Sequence, residues 1–387
     1  MPSIEQALRR LYDYCRESDW KGWDPYDGLN SRLFQALPFK RWRACRLAWI
    51  QLLKRSPINL RGLLSVPKDE NPKGLALLAR GLVALTQVGC KWIAPGDVAR
   101  VFDRLEHLRA PGYEPWCWGY NFDWQGRAFF LPRFRPNAVA TTFAAHAFLD
   151  RYEAFGNERD FEIARSACTF VLTHLRRPYE SRDKVCFSYT PLDDAVVHNI
   201  NLLIAALFAR VFAASRDTSL ADWARRAIAF SLSYQAPDGS WQYGTAPFHG
   251  WVDHFHTCYN LLALDDGRRW LRTDLYDSAI ERGLTFYLDH LFRIDGLPRF
   301  DTQAIYPIDI HAIALALITL ARFAEWRPLC YHRREKIIEW TLHRMQDRQG
   351  FFYYQKRAHT FARIPYMRWA QAWMFYALAL LVAPERS

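Results

Sequence analysis

The sequence predicts an all-α fold, an (α/α)6 toroid of six helical hairpins. Apolar residues recur at helical spacing along most of the chain, and nearly all-apolar segments alternate with amphipathic ones. Polar clusters precede the apolar segments at intervals of roughly 50–60 residues, a period typical of stacked supersecondary repeats. An all-apolar helix is buried on every side, whereas an amphipathic helix keeps a solvated face. The alternation therefore predicts an inner ring of helices wrapped by an outer ring.

Twelve helical segments follow from this periodicity. The apolar ones, counted from residue 72, number six and form the predicted inner ring. The segment near 40–56 supplies the outer helix that the count otherwise lacks. We interpret residues 1–35 as an irregular N-terminal cap and residues 36–387 as a single toroid domain. The predicted segments lie near 40–56, 72–90, 96–109, 137–156, 159–176, 193–215, 218–235, 255–265, 273–291, 309–324, 331–347 and 366–384.

Glycine and aromatic residues mark the turns after three amphipathic segments. Gly239, Gly296 and Gly350 follow these segments at intervals of 57 and 54 residues. Glycine ends a helix in the left-handed conformation, and the next aromatic residue folds back onto the helix. The first turn, Gln235-Ala-Pro-Asp-Gly-Ser-Trp241, resembles the QW motif of squalene and other triterpene cyclases. Those enzymes share a toroidal α/α architecture, so the resemblance supports the fold.

Composition limits the classes of partner and the compartment. A net charge of +11 favours an anionic partner: nucleic acid, a membrane surface, or an acidic or phosphate-bearing saccharide. No nucleic-acid-binding motif or basic tail is visible, so we expect no nucleic acid. The eight cysteines are widely spaced without a CxxC pair, which indicates reduced thiols. With no signal peptide and no apolar stretch long enough to span a membrane, we expect a cytoplasmic protein.

Five polar clusters mark the candidate site. If every other helix is related by the repeat, the N-termini of the apolar helices gather at one end of the toroid, and the clusters converge there. Aspartate at such a position also caps a helix, and that interpretation stays open for each carboxylate. The clusters are Asn137–His146, Asp193–Asn199, Asp253–Asn260, Asp309–His311 and Arg363–Trp369.

The densest clusters supply the candidate catalytic residues. Glycoside hydrolysis needs a carboxylic acid and a second carboxylate across the scissile bond. Asp253 and Asp309, from adjacent repeats, are the preferred pair, with His256 and His311 as further catalytic candidates. A metal bound by the Asp253–His256 cluster is disfavoured because a His-x-His spacing on a helix points the two rings in different directions. We expect no metal and no cofactor.

Substrate-binding candidates surround these residues. The aromatic loop 113–127 combines rings that stack on sugars with polar groups that read hydroxyls, although packing over the end of the toroid explains it equally well. Two arginines near the last apolar helix suit a carboxylate or phosphate. The candidates are Trp118, Asn121, Asp123, Trp124, Arg127, Asp193, Asp194, His198, His254, Tyr259, Tyr306, Arg363, Tyr366, Arg368 and Trp369.

Four longer motifs carry a family resemblance. They are CWGYNFDWQGRAFF, DHFHTCYNLLAL, YPIDIHAIA and RIPYMRWAQAWMFYAL. They resemble a family of largely uncharacterised bacterial proteins associated with surface-polysaccharide biosynthesis, over most of residues 20–385. More distantly, the layout resembles six-hairpin glycosidases, unsaturated-uronyl hydrolases and α/α-toroid polysaccharide lyases. The resemblance implies an exopolysaccharide, O-antigen or lipid-linked oligosaccharide as substrate.

These observations favour a glycoside hydrolase acting on an anionic oligosaccharide or lipid-linked saccharide. A lyase or uronyl epimerase would use the same residues differently: His256 or Tyr259 would abstract a proton next to a carboxylate that Arg363 neutralises. Two more functions stay open: a terpenoid cyclase or prenyl-transfer enzyme, and a non-catalytic saccharide-binding scaffold. The scaffold function includes a peripheral association with a membrane synthase complex.

Overall fold

The computed structural model describes residues 3–126 and 129–383, and within them the fold is almost entirely helical. The α-helices are α1 (Ile4–Glu17), α2 (Arg32–Ala36), α3 (Arg43–Arg55), α4 (Pro72–Gln87), α5 (Asp97–His107), α6 (Ala138–Phe155), α7 (Glu158–His174), α8 (His198–Ser215), α9 (Thr218–Leu232), α10 (His254–Leu271), α11 (Asp277–His290), α12 (Ile310–Arg322), α13 (Pro328–Arg344) and α14 (Trp373–Val382). A π-helix, Met367–Ala372, runs into α14, and short 3₁₀ turns span Asp27–Asn30, Pro38–Arg41 and Pro247–His249.

Short antiparallel strands lie in the loops of this scaffold. Strand β1 (Trp124–Gln125) pairs with β2 (Phe130–Leu131), and β3 (Tyr179–Glu180) pairs with β4 (Val185–Cys186). A three-stranded sheet joins β5 (Ile308–Asp309), β6 (Gln355–Lys356) and β7 (Phe361–Ala362). Strand β5 leads directly into α12, so the sheet lies at the end of the ring where that helix begins.

The described helices form two concentric rings. The inner ring consists of six helices, each of which contacts the next, and the last of them contacts the first. In chain order they are α4, α6, α8, α10, α12 and α14. Helices α5, α7, α9, α11 and α13 each pack outside the inner helix that precedes them, and α1 packs outside α14. Helix α8 is long and apolar enough to cross a membrane, but 72% of it is buried inside the ring, as expected of an inner helix. The predicted (α/α)6 toroid is confirmed.

The outer helix of the last hairpin differs from the prediction. Residues 1–35 were expected to be irregular, but α1 is a regular helix that begins with a capping box between Ser3 and Gln6. Its buried stripe, which includes Leu8 and Leu11, faces α14. Helix α3 was expected to be this outer helix. It packs instead on the 3₁₀ turns Asp27–Asn30 and Pro38–Arg41 and on β1. The contact of α1 with α14 therefore completes the outer ring of the toroid.

The Gly/aromatic turns are repeated structural units. At the end of α9, Gln235 Nε2 donates to the Gly239 carbonyl and to a carbonyl of α11. At the end of α13, Gln346 Nε2 donates to the Gly350 carbonyl and to a carbonyl of α1. Both glycines have positive φ, and a Cβ on either would lie 2.2 Å from a carbonyl oxygen of the next outer helix. The turn that resembles the QW motif therefore locks neighbouring hairpins together.

The N-termini of the inner helices gather at one end, as predicted. Asn137, Asp253 and Asp309 cap α6, α10 and α12 with side-chain acceptors. Helix α8 begins later than predicted, and the expected cap residues Asp193 and Asp194 lie in the loop before it. The loops at this end carry the small strands and the candidate site, whereas the opposite end holds the short turns from inner to outer helices.

Candidate active site

A cavity of about 990 Å³ opens at the end of the ring where the inner helices begin. Every inner hairpin contributes a residue from the start of its inner helix, including the π-helical turn before α14. These residues are Lys73, Val139, Asn199, His256, His311 and Trp369. Aromatic rings from the loops form most of the remaining wall, a composition that suits the apolar faces of sugar rings. They are Tyr26, Tyr120, Phe122, Trp124, Phe129, Tyr189, Tyr243, Trp251, Phe300, Tyr306 and Tyr354.

A second cavity of about 310 Å³ lies at the opposite end of the ring. Its charged side chains are engaged with one another. Arg80 lies 2.6 Å from the Asp150 carboxylate, and Arg210 lies 2.7 Å from both Asp150 and Glu153. Because these arginines and carboxylates are paired with one another, they are less available to bind or react with a ligand. We therefore assign the chemistry to the larger cavity.

Asp253 and His256 form an oriented pair on the first turn of α10. The Asp253 carboxylate caps the helix by accepting from the His256 backbone N–H at 2.8 Å, and it lies 2.6 Å from His256 Nδ1. Trp251 Nε1 donates to the same carboxylate at 3.1 Å. In the neutral imidazole the carboxylate holds the proton on Nδ1 and leaves Nε2 as an acceptor, and His256 lines the cavity. This is the arrangement of a general base with a carboxylate that positions it.

Tyr259, one turn further along α10, joins a second polar group. Its hydroxyl lies 2.9 Å from His311 Nε2 and accepts from Lys73 Nζ at 3.1 Å. The rings of Tyr259 and His256 have centroids 6.1 Å apart. Lys73 Nζ donates to the phenolic oxygen, and a proton on His311 Nε2 would do the same, which leaves the Tyr259 proton free to point into the cavity. The two groups place an acceptor and a donor of protons on the same side of the cavity.

Burial sets the protonation of this second group. It raises the pKa of Tyr259 well above its usual value, so the phenol keeps its proton. Burial, together with the nearby Lys73 and Arg368 charges, lowers the pKa of His311 well below its usual value and keeps the imidazole neutral. Burial and then Arg368 also lower the pKa of the Lys73 ammonium. Tyr259 therefore keeps a proton that it could donate in this cavity, and the Lys73 amino group, which donates to the same oxygen, is placed to stabilise a phenolate.

Asp309 does not line the cavity. Its carboxylate accepts from three donors: the His311 backbone N–H at 2.9 Å, Trp369 Nε1 at 2.9 Å and Gln355 Nε2 at 2.6 Å. It is 1% exposed, and burial raises its pKa. These contacts fix the start of α12 and the Trp369 ring. The geometry thus favours a positioning role for Asp309 over its predicted role as the partner of Asp253.

The two arginines predicted to clamp an anion have different surroundings. Arg368 is buried beside the cavity, and Asp24 accepts from its Nε and Nη2 at 2.6 and 2.8 Å. Its Nη1 has no hydrogen-bond partner among the described residues. Arg363 is exposed and lies over the Tyr353 ring, away from the cavity wall. Of the two, Arg368 has the position needed to meet a bound ligand.

The aromatic loop mixes cavity residues with packing residues. Trp124 lines the cavity, but Trp118 is fully buried, with Nε1 donating to the Leu105 carbonyl. Asn121 Oδ1 accepts from the side chain of Asn71, the cap of α4. Asp123 accepts from a backbone N–H in the same loop. Only Trp124 of these is placed for sugar stacking, and Arg127 lies outside the described residues.

The candidates near α8 are engaged in structural contacts. Asp193 accepts from backbone N–H groups of its own loop, and Asp194 forms a surface ion pair with Arg176. His198 is buried against the rings of Phe230 and Tyr234. None of the three belongs to the described wall of the cavity.

His254 points away from His256. Its Nδ1 lies 3.0 Å from the Leu291 carbonyl, and its Nε2 lies 2.9 Å from the Tyr287 hydroxyl. Burial lowers its pKa to about 4. The two imidazoles therefore diverge, as the helical spacing predicts.

Three further candidates come from the loop before α12 and from the segment that leads through the π-helix into α14. Tyr306 lines the cavity beneath the Arg293 guanidinium. Trp369 also lines it, whereas Tyr366 is buried with its hydroxyl accepting from Arg61. Tyr366 therefore supports the packing around the π-helix and does not reach the cavity.

Several residues of the cavity were not predicted from the sequence. Lys73 lies at the start of α4 in a segment with no dense polar cluster, and its only signal is a lysine at the start of a mostly apolar helix. Asp301 lines the wall, and its backbone pairs with that of Asp253. Lys54, Arg55 and Arg357 stand at the rim. Lys73 comes from α4, Lys54 and Arg55 come from α3, and the other two come from loops, so only the tertiary fold brings these residues together.

Comparison with known proteins identifies the fold. No protein-family model and no curated protein sequence matches the chain. Solved structures do match it. Cellobiose 2-epimerase from Bacillus thermoamylovorans B4167 has a TM-score of 0.63 and 11% identity over 81% of this chain and 90% of that one. An unsaturated glucuronyl hydrolase specific for heparin has a TM-score of 0.62 and 11% identity over 99% and 96%.

A third match belongs to another class of sugar enzyme. The GH76 α-mannanase BT2949 of Bacteroides thetaiotaomicron has a TM-score of 0.58 and 12% identity over 81% of this chain and 87% of that one. These neighbours are six-hairpin α/α-toroid enzymes, hydrolases and epimerases among them, that act on sugars. At these identities the likeness establishes the six-hairpin glycosidase-like toroid fold of this chain.

Proposed function

We propose that this protein is a carbohydrate-active enzyme that abstracts a proton from an anionic oligosaccharide, as a lyase or a uronyl epimerase. The observation that carries the proposal is the Asp253–His256 pair, which presents an imidazole acceptor to a sugar-sized aromatic cavity. The predicted hydrolase pair has weaker support, because Asp309 is saturated by three donors and lies behind the wall.

The reaction follows from the two proton-transfer groups. In elimination, His256 Nε2 takes the proton from the carbon next to the substrate carboxylate. The electron pair of that C–H bond forms a double bond to the neighbouring ring carbon, whose bond to the glycosidic oxygen breaks. Tyr259 donates its proton to the departing oxygen, and the Lys73 amino group, which donates to the Tyr259 oxygen, stabilises the resulting phenolate. In epimerisation the bond to the glycosidic oxygen stays intact, and the carbanion left by removal of the proton takes a proton from water on its opposite face.

The charge of the lining favours an acidic substrate. Among the described lining residues, five carry Lys or Arg side chains (Lys54, Arg55, Lys73, Arg357 and Arg368), against two aspartates. Arg368 is already paired with Asp24, so it would act on a uronic acid carboxylate through a hydrogen bond from Nη1, which acidifies the proton that His256 must remove. The rim cations would bind further anionic groups along the chain.

The biological substrate is proposed from the family resemblance. The motifs around Trp124, His256, His311 and Trp369 resemble proteins associated with bacterial surface-polysaccharide biosynthesis, which favours an acidic exopolysaccharide or a lipid-linked oligosaccharide. The similarity of the fold to that of a glucuronyl hydrolase supports a uronic acid as the recognised sugar. A cytoplasmic location remains part of this proposal and rests on the cysteine pattern.

Hydrolysis is the second candidate, and Asp301 favours it. The Asp301 carboxylate lines the cavity and accepts, through Oδ1, from the backbone N–H groups of Gln303 and Ala304. Its Oδ2 has no partner among the described residues. Asp301 with Asp253 would supply the two carboxylates that glycoside hydrolysis requires.

A terpenoid cyclase function has little support. It requires acidic residues in an apolar pocket, but Asp193 and Asp194 bind their own loop and a surface arginine. A scaffold function differs from both enzyme proposals in predicting binding without turnover.

A product analysis separates these functions. The purified protein is incubated with acidic and neutral bacterial oligosaccharides, and the products are examined by mass spectrometry and ultraviolet absorbance. We expect an absorbing double bond without added mass for a lyase, or an unchanged mass with altered stereochemistry for an epimerase. Products that together gain one water and depend on Asp301 would replace the proposal with hydrolysis. If the protein binds an oligosaccharide without forming any product, and His256→Gln binds it equally well, the result would favour the scaffold function.

A further inference from the structure

A basic segment without carboxylates lies outside the ring. Residues 28–68 contain nine Lys and Arg and no Asp or Glu, whereas the rest of the chain has 42 Lys and Arg against 40 Asp and Glu. Almost the whole net charge of +11 therefore resides in about one tenth of the chain. The toroid does not need this segment, because its outer ring is completed by α1 and not by α3.

The same segment exposes large apolar side chains. Six of the eighteen large hydrophobic residues exposed in the described structure lie between residues 33 and 63. Trp42, Ile58 and Leu63 have 68%, 67% and 77% of their surface exposed. Beneath them lies only a small separate core of Leu29, Phe34 and Ile50. Exposed apolar groups concentrated in this way mark an interaction surface.

Helix α3 shows how the apolar and basic groups are combined. One face of the helix is exposed to solvent. Spacings of four, four and three residues place four exposed residues on this face: Ala44, Ala48, Leu52 and Arg55. The opposite face buries Ile50 against the small core. The solvent-facing stripe of α3 is thus mainly apolar, the reverse of what a solvated outer helix needs.

The basic side chains around this stripe are not neutralised by the protein. Among the described residues, no carboxylate forms a salt bridge with Arg32, Lys40, Arg41, Arg46 or Arg55. Lys40 Nζ and Arg46 Nη1 donate to backbone carbonyls, which leaves their charge uncompensated. The segment therefore presents a cationic field together with apolar side chains.

The surface stands beside the active-site cavity. Gln51, Lys54 and Arg55 of α3 line the cavity rim, while Leu52 between them faces solvent. A planar ligand that covered the exposed face of α3 would consequently lie at the mouth of the cavity.

We propose that residues 32–63 form a docking surface for an anionic lipid bilayer. Basic residues would bind the headgroups, and Trp42, Leu52 and Leu63 would enter the interface between headgroups and acyl chains. Cations alone would equally suit a nucleic acid, but the exposed aliphatic side chains favour a bilayer. Docking would hold the cavity against the membrane, where a lipid-linked saccharide presents its sugars. The inference stands independently of the reaction proposed above.

Vesicle co-sedimentation of the full chain tests the surface. We expect binding to vesicles of equal phosphatidylcholine and phosphatidylglycerol, weak binding to phosphatidylcholine alone, and a decrease as salt rises. Arg32→Glu with Arg41→Glu should weaken binding to the anionic vesicles by at least about tenfold. Trp42→Ser with Leu63→Ser should weaken it even at low salt, because the apolar contribution is not screened.

Matched variants on another surface provide the control. Arg225→Glu with Leu275→Ser changes an exposed basic and an exposed apolar residue outside the segment, and it should bind vesicles as the parent does. Failure of the parent to bind anionic vesicles at low salt would overturn the proposal. An equal loss of vesicle binding in the control variant would also overturn it. So would a parent protein that does not bind vesicles but self-associates, if Leu63→Ser abolishes the self-association. Circular dichroism of each variant excludes unfolding as the cause of a loss.

Discussion

Replacing Asp253 with asparagine tests the oriented histidine directly. The asparagine oxygen keeps the bond to the His256 backbone N–H, and asparagine caps a helix as well as aspartate does. Its amide group then faces His256 Nδ1, which must become the acceptor, and the imidazole proton moves to Nε2. His256 can no longer accept a proton from the cavity. Since general base catalysis contributes roughly 10²–10⁴ in rate, kcat/KM should fall by that factor, about 3–5 kcal/mol.

The cost in stability should be small by comparison. The charge-assisted bond to His256 and the bond from Trp251 Nε1 to the same oxygen are lost. Because Trp251 is partly exposed and can bond water instead, we expect the free energy of unfolding to fall by about 1–3 kcal/mol. Steady-state kinetics on any substrate turned over by the parent, together with thermal unfolding, separates the two effects. Asp217→Asn, at the exposed cap of α9, is the matched control and should retain parent activity. An Asp253→Asn enzyme with more than a tenth of parent kcat/KM would refute the role of the pair.

Three further predictions concern buried charge. Lys73→Met should reduce turnover at least about 100-fold while the melting temperature stays level or rises, because a desolvated amine is replaced by a side chain of similar length. Asp309→Asn should lower the free energy of urea unfolding by about 1–3 kcal/mol and reduce kcat/KM less than tenfold, since its three bonds position other residues. His254 has a folded pKa of about 4 against 6.5 in the unfolded chain, so the unfolded state binds more protons between these values. Stability should therefore fall by about 3 kcal/mol as pH drops from 6.5 to 4, and urea titrations of His254→Asn should show a shallower decline. A melting temperature that drops in Lys73→Met, or an equally steep acid decline in His254→Asn, would contradict the corresponding assignment.

The fold was predictable because its determinants are local and periodic. The all-apolar character of segments such as α8 and α12, and the turns at Gly239 and Gly350, report directly on inner helices and hairpin ends. The role of α1 was missed because pairing the first helix with the last is a long-range contact. No repeat spacing within the chain indicates that pairing.

The candidate site was predictable at the level of the clusters. His256, Tyr259, His311, Arg368 and Trp369 all border the cavity, as convergence of the inner N-termini requires.

Side-chain direction was not predictable, because neighbours on one helix turn face different surroundings. His254 and His256 differ by two positions, yet one lies in the core against Leu291 and the other at the cavity. Asp309 and Asp253 occupy the same capping position, but Gln355 and Trp369 enclose only the first. Such differences depend on how the loops pack over each helix N-terminus. The spacing of the motifs along the chain does not indicate how these loops pack.

The most direct test of the proposed proton transfer is deuterium incorporation from solvent. An acidic oligosaccharide that the protein binds is incubated in D₂O, and the sugars are examined by NMR at the carbon next to the carboxylate. We expect exchange or loss of that hydrogen with the parent protein and with Asp217→Asn, and neither change with His256→Gln. Cleavage that leaves this hydrogen in place, or exchange that persists in His256→Gln, would rule out proton abstraction by His256.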